Sequence, residues 1–242
     1  MTGRSAGPPF PIRALVLDID GTLTDGHRRL HLPAVGALAR FRRRRIPIVL
    51  ATGNVLPVAL AVHRFLNLGT LLIAENGGLL YEERGGREIV RRLARRSVAL
   101  RALRELRAAG VEATPLFTDR WRETEVALRP GLSVARARRL LAPLPVEVIP
   151  TGYAVHLMEA GRGKLPALRR ALAPLGLAPS DCLIAGDGEN DVPMLEAAGW
   201  AVSFRGADRQ AIRAADYVSR KAHGAGLVEA LKRVRAVAPP AG

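Results

Sequence analysis

Two pairs of aspartates carry the chemistry in this sequence. Asp18 and Asp20 stand two residues apart at the end of the apolar run ALVLD. If that run is a strand, both side chains leave its end on the same face and their carboxylates converge. Aspartates at a strand end also form ordinary turns, so the first pair alone has a structural explanation as well. The second pair weighs against it, because Asp187 and Asp191 flank the glycine-rich turn of GDGENDVPM directly after the apolar run CLIAG. Four aspartates from two strand ends make a concentrated anionic site. Neighbouring buried carboxylates repel unless something neutralises them, and oxygen-only ligation suits a hard cation such as Mg2+.

The elements that must position these residues follow from hydrophobic periodicity. Residues 14–18 form a short apolar strand, 33–44 have helical spacing, and IPIVLA forms a second strand ending at Thr52 and Gly53. A helix over 56–65 and a strand over 71–74 follow. Buried strands alternating with amphipathic helices predict an α/β fold: a Rossmann-like parallel sheet covered on both faces, with ligands at the carboxyl ends of its strands. The rhythm changes after Asn76, Gly77 and Gly78. Residues 79–159 read as a small α+β insert: a hairpin, an Arg-rich helix near 94–109, a strand at 123–128, a helix at 133–141, then strands at VEVIP and YAVHLME. Alternation resumes with a helix over 165–175, the strand CLIAGD, a helix over 192–198 and strands near Ala201 and Tyr217. The core is therefore expected at 1–78 and 160–242, split around an insert at 79–159, with loose termini.

Composition narrows the function classes. The 242 residues include 37 basic and 22 acidic side chains, a formal charge of +15, and 48% are apolar, as in a packed globular protein. No apolar stretch is long enough for a membrane span, and the N-terminal MTGRSAGPPFPIR has no signal-like apolar core, so the expectation is a soluble cytoplasmic protein. Cys182 is the only cysteine; its apolar neighbours make it a buried strand residue, and a disulfide scaffold is excluded. All but three basic residues are arginine, spread through helical segments with few aromatics between them, which reads as solvated helix faces and not as a nucleic-acid surface. Four clustered carboxylates would also repel a phosphate backbone.

The ordered set DIDGT, ATGN, a lone lysine and GDGEND resembles the haloacid dehalogenase-like phosphohydrolase superfamily, and the insert between its second and third motifs resembles the branch with a large α/β cap. Within that branch LDIDGTLTD, ATGN, AENGG, DRWRETE and GDGENDVPM look like the archaeal phosphoglycolate phosphatases. The resemblance implies that Asp18 is a nucleophile giving an aspartyl-phosphate and that Asp20 is the general acid and base. It implies Mg2+ held by the Asp18 carboxylate, the Asp20 backbone carbonyl and Asp187, with Asp191 in direct or water-mediated contact. Thr52 matches a hydroxyl that holds a phosphoryl oxygen, and amides around Gly53 and Asn54 would add donors.

Lys164, one of three lysines among 37 basic residues, would place a compact ammonium between phosphate and nucleophile. Asn190 either orients the phosphate or is a helix-start residue. Glu189 reads as solvent-facing. In the insert, Arg122 and Glu123 are candidates to face a small dianionic substrate, and Trp121 to close the insert's core. His156 reads as a core or surface histidine, and His27, His31, His63 and His223 are not placed as ligands. The expected activity is Mg2+-dependent hydrolysis of a small phosphomonoester, 2-phosphoglycolate first. The alternatives are a sugar-phosphate phosphatase or a phosphomannomutase-like transferase, and more remotely a basic nucleic-acid-binding protein on this fold. The partner is a small phosphorylated metabolite, with no specific nucleic acid and no membrane; a homodimer is compatible with the reading.

Overall fold

The computed structural model of the chain describes residues 7–69 and 71–238. The outer ends of the expected core, residues 1–6 and 239–242, together with residue 70, lie outside the described residues, as does most of the expectation of loose termini. The first half of the core runs β1 (Ala14–Leu17), α1 (Leu32–Arg43), β2 (Ile48–Ala51), α2 (Leu56–Leu66) and β3 (Leu71–Ala74). Every residue of these three strands is buried, as the uninterrupted apolar runs require of a sheet covered on both faces. The chain then turns back into β4 (Leu79–Arg84) and β5 (Arg87–Arg92). After these come α3 (Arg96–Ala108), β6 (Val126–Leu128), α4 (Val134–Leu141), β7 (Val146–Pro150) and β8 (Val155–Glu159). The second half of the core contains α5 (Lys164–Leu172), β9 (Cys182–Ala185), α6 (Val192–Glu196), β10 (Trp200–Phe204), α7 (Arg209–Ala214), β11 (Tyr217–Ser219) and α8 (His223–Leu231).

The main sheet has eight strands in the order β11-β10-β9-β1-β2-β3-β4-β5. From β11 to β3 it is parallel. Its side chains alternate between two apolar layers. Leu15, Leu17, Leu50 and Leu72 pack under α1, α2 and α8, while Val16, Val49, Ile73 and Ile184 pack under α5, α6 and α7. From β1 the chain first builds outward through β2 and β3 and later returns to the other side of β1 through β9. The crevice at the carboxyl end of β1 is therefore the point where strand order reverses, and there a loop from each side can meet a ligand.

The hairpin at the start of the expected insert does not belong to it. β4 pairs antiparallel with β3, Ala74 opposite Leu79 and Ile73 opposite Leu80, and carries β5 with it at the sheet edge. The cause is the tight turn at Glu75–Gly77, where Glu75, Asn76 and Gly77 all have positive φ and reverse the chain directly onto β3. The smaller domain is the remainder: α3 and α4 packed on a three-stranded antiparallel sheet, order β6-β8-β7, with its own apolar core around Leu106, Leu128 and Leu157. Its sequence boundary falls after Arg92, not at 79. Strand β6 is also shorter than expected, because the N–H groups of Glu123 and Thr124 donate to the Glu75 carboxylate instead of to a neighbouring strand.

Candidate active site

The end of β1 delivers Asp18 into the crevice. Its backbone N–H donates to the carbonyl of Ala185 at the end of β9, so the two loops that bear aspartates are tied together at their base. Asp18 is buried, and its Oδ1 accepts from the Lys164 ammonium at 2.8 Å. Asp20 turns away from this cation: its carboxylate accepts from Asn54 Nδ2 at 2.5 Å and from Arg28 Nε at 3.4 Å. The turn between them is compact. The amides of Thr22, Leu23 and Thr24 all donate to the Ile19 carbonyl, and Gly21 donates to the Thr24 hydroxyl. Gly21 has φ +75, and a Cβ there would stand 2.0 Å from Oδ2 of Asp187, so only glycine allows the two acidic loops to approach this closely.

Lys164 is the first residue of α5. Only 2% exposed, it bridges Asp18 and Oδ1 of Asp191, the latter at 2.7 Å. The other oxygen of Asp191 accepts from the amides of Asp187 and Gly188, both at 3.1 Å. Both oxygens of Asp191 are thus engaged by the protein, which makes it an anchor for the loop. Among the described residues, carboxylate oxygens of Asp18, Asp187 and Asp191 lie within 4.8 Å of one another. The side chain of Asp20 is not part of this group.

Burial raises the Asp18 carboxyl well above the usual range; Lys164 opposes the shift and the neighbouring aspartates reinforce it. Asp187 is pushed up to about 7, first by burial and then by Asp191. The Lys164 ammonium is held above its ordinary value, since its two carboxylates outweigh its burial. One buried cation facing three crowded carboxylates leaves negative charge over, and the donors are all oxygen. These residues fit a small divalent cation such as Mg2+, with Asp187 and Asp18 offering the available carboxylate oxygens.

Thr52 and Asn54 arrive from the end of β2. Thr52 is fully buried, and its Oγ1 accepts from the Asn54 backbone amide at 3.1 Å and from Asn54 Nδ2 at 3.3 Å. Asn54 therefore differs from expectation: its backbone N–H is used by Thr52 and its side chain holds Asp20. Gly53 is needed because a Cβ would press on the Asn76 amide at 2.9 Å. Asn190 lies in the turn that leads into α6. Its Nδ2 donates to Asn76 Oδ1 at 2.9 Å, so the side chain spans two loops instead of standing free.

Arg122 is brought to the Gly53 loop from the cap side but is enclosed, at 3% exposure. Its Nη1 donates to the Gly53 carbonyl at 3.0 Å and to Glu125, so its charge is paired within the protein, while its buried Nε has no hydrogen-bond partner among the described residues. Glu125 is the centre of a buried network, accepting also from Asn76 at 3.0 Å and sharing a hydrogen bond with His156 at 3.0 Å. His156 is thus a core histidine. Glu123 pairs with Arg92, and Glu189 forms an ion pair with Arg138 of α4 at 3.1 Å instead of facing only solvent. Trp121 is half exposed, stacked edge-on against Phe117. The Cys182 thiol is buried and pushed up to about 12, hence unreactive.

A cavity of about 390 Å3 lies over the site, lined by Asp18, Asp20, Asp187, Arg28, Gly53 and Tyr153 among others. A second, of about 510 Å3, lies between α4, β7 and the start of α5 and does not reach Asp18 or Asp20. Arg28, Tyr153, Asn76 and Glu125 were not singled out from sequence. The Asn-Gly-Gly turn at 76–78 and the DRWRETE stretch that ends at Glu125 are the local signals that point near two of them.

An acidic strand end, an ammonium that bridges it to a second acidic loop, and a capping domain over the crevice define a capped α/β phosphohydrolase. A profile of haloacid dehalogenase-like hydrolases matches residues 15–121 and 148–231. The chain belongs to that family. It is 36% identical over 222 residues to a phosphoglycolate phosphatase of Methanothermobacter thermautotrophicus, covering 92% of this chain and 98% of that protein. A phosphoglycolate phosphatase of Methanosarcina acetivorans is 37% identical over 230 residues, covering 91% and 95%. A solved structure from Thermoplasma acidophilum superposes with a TM-score of 0.83 at 24% identity, covering 92% of this chain and 98% of that one. No helix among the described residues is long and apolar enough to cross a membrane.

Proposed function

We propose that this chain is a Mg2+-dependent phosphatase that hydrolyses a small phosphomonoester, 2-phosphoglycolate first, to glycolate and phosphate. The observation that carries the reading is the Lys164 ammonium held between Asp18 and Asp191 at the switch point of the sheet, which leaves Asp18 a second oxygen for chemistry. Similarity to phosphoglycolate phosphatases over most of both chains supports the substrate.

Asp18 attacks phosphorus, forming an acyl phosphate as the bond to the leaving oxygen breaks. Asp20, oriented by Asn54 and Arg28, donates its proton to that oxygen. In the second half Asp20 takes a proton from water as the water attacks the phosphoenzyme, restoring Asp18 and releasing phosphate. The Thr52 hydroxyl donates to a phosphoryl oxygen, and Lys164 balances charge beside the nucleophile. Asp18 and Asp187, with the Asp20 carbonyl that the family resemblance implies, would hold a divalent cation, which when bound would neutralise phosphoryl charge. The cap, joined to the phosphate loop through Arg122 and Gly53, excludes water when closed. No specific nucleic acid is part of this reading.

The test is phosphate release across a panel of phosphorylated acids and sugars, with and without chelator. The expected result is cation-dependent release that is highest with 2-phosphoglycolate and is lost in Asp18→Asn, whose far-ultraviolet spectrum stays native. Isomerised sugar phosphate in place of free phosphate, or full activity in Asp18→Asn, rejects the proposal.

A further inference from the structure

The cavity over Asp18 is lined by more than its acids. Beside Asp18, Asp20 and Asp187 it carries the Arg28 guanidinium, whose Nε lies 3.4 Å from Asp20, and the ring of Tyr153. Arg28 sits at the apex of a tight turn with φ +62, a conformation costly for arginine unless its surroundings impose it. They do. The Asp25 carboxylate accepts from the amides of His27 and Arg29 at 2.8 and 3.0 Å, and Asp25 and Arg28 close the turn through their own backbone bonds. The apex is therefore a rigid mount for a cation.

The guanidinium stands 4.6 Å over the Tyr153 ring, which comes from the turn between β7 and β8 in the cap. That turn is also braced, by Thr151 bonding the Ala154 carbonyl and amide. Stacking on the ring leaves the edge of the guanidinium free, and only its Nε is committed, at 3.4 Å to Asp20. The Tyr153 phenol, pushed up to about 12 by burial and by the nearby Asp20 charge, is a neutral donor at working pH. Arg122, by contrast, is paired with Glu125 and does not line this cavity.

We infer that Arg28, stacked on Tyr153, reads the carboxylate at the non-phosphoryl end of the substrate, and so determines specificity for phosphorylated acids over phosphomonoesters that lack a carboxylate. The inference rests on the phosphatase reading above. Because Arg28 belongs to the core and Tyr153 to the cap, an anionic group bound there joins the two domains over the reacting bond. Electrostatics favours the assignment: a carboxylate entering a cavity floored by three aspartates needs a fixed cation at its own end, and a planar fork matches it in two bonds.

The experiment compares kcat/KM for 2-phosphoglycolate with that for ethyl phosphate, which lacks the carboxylate, in the wild type, Arg28→Gln, Arg28→Lys and Tyr153→Ala. The expected result is that the ratio of the two constants falls at least about 10-fold in Arg28→Gln, chiefly through KM for 2-phosphoglycolate. Arg28→Lys recovers part of the ratio, and Tyr153→Ala lowers it in the same direction. A ratio unchanged within about twofold in Arg28→Gln overturns the inference, including the case where both substrates lose equally and Arg28 acts only through Asp20. A wild type that hydrolyses both substrates equally well also overturns it while leaving the phosphatase reading standing. A wild type that releases phosphate from neither, nor from any member of the wider panel, rejects the phosphatase reading as well.

Discussion

Replacing Lys164 by methionine removes one charge from the most enclosed ion cluster in the site while keeping the length of the side chain. The ammonium makes hydrogen bonds of 2.8 and 2.7 Å to Asp18 and Asp191, with all three side chains buried. Deleting one partner of a buried ion pair leaves uncompensated charge and costs about 3–5 kcal/mol. For a chain of this size each kcal/mol shifts Tm by about 2–4 °C, so a fall on the order of 10 °C is expected at pH 7.5 without divalent cation. The deficit should shrink at pH 5, because Asp18 is already raised by burial and without its cation takes up a proton more readily. It should also shrink when Mg2+ is added, since the cation then supplies the missing positive charge. Turnover should not recover with the fold: kcat/KM is expected to fall at least about 100-fold, or about 2.7 kcal/mol of transition-state stabilisation. Lys164→Arg should restore only part, because the longer planar group does not fit a slot sized for an ammonium. Melting curves at two pH values with and without Mg2+, beside steady-state kinetics, form the assay. A Tm within about 2 °C of wild type at pH 7.5, with kcat/KM within threefold, would refute the reasoning.

Three further outcomes follow from the geometry. In the metal-free protein, Asp187 at about 7 holds a proton that the unfolded chain releases at ordinary aspartate values, so stability is present at acid pH and is lost as pH rises from about 4 to 7. The loss is on the order of 4 kcal/mol at most, and urea melts across that range should show it flattened by Mg2+. Gly21→Ala forces a Cβ to within 2.0 Å of the Asp187 carboxylate at φ +75; Mg2+ titrations of activity should show weakened apparent affinity, with a stability cost of about 1–3 kcal/mol. Removing 96–159 and joining the ends through a short linker should leave a folded sheet that binds metal without discriminating substrates, because Arg95 and Glu159 already touch there. Removing 79–159 should instead aggregate, since it strips β4 and β5 from the edge beside β3; equal solubility of the two truncates by gel filtration would reject the revised boundary.

Much of the site was legible because its residues stand at the ends of buried strands. A short apolar run such as ALVL or CLIA, bounded by turn residues, reads as a covered strand, and the polar residue that ends it emerges at the sheet's carboxyl edge, which is why Asp18, Thr52 and Asp187 could be placed at strand ends from local pattern. The hairpin at 79–92 was legible as a hairpin, by alternation, but not as part of the main sheet. Alternation reports one exposed face and not which strand lies alongside.

What the sequence by itself determined was therefore the set of strand ends and the acids they carry. Only the tertiary structure decided how those acids are used: Lys164 reaching Asp18 across 146 residues, Glu75 capturing the amides of residues 123 and 124, Arg122 paired with Glu125, and Arg28 meeting Tyr153 from the other domain. Periodicity is set by neighbours a few residues apart, so it fixes faces and ends. Contacts between loops far apart in the chain depend on sheet order, crossover and turn geometry, and no local pattern encodes the distance between two side chains that meet only once the whole chain has folded.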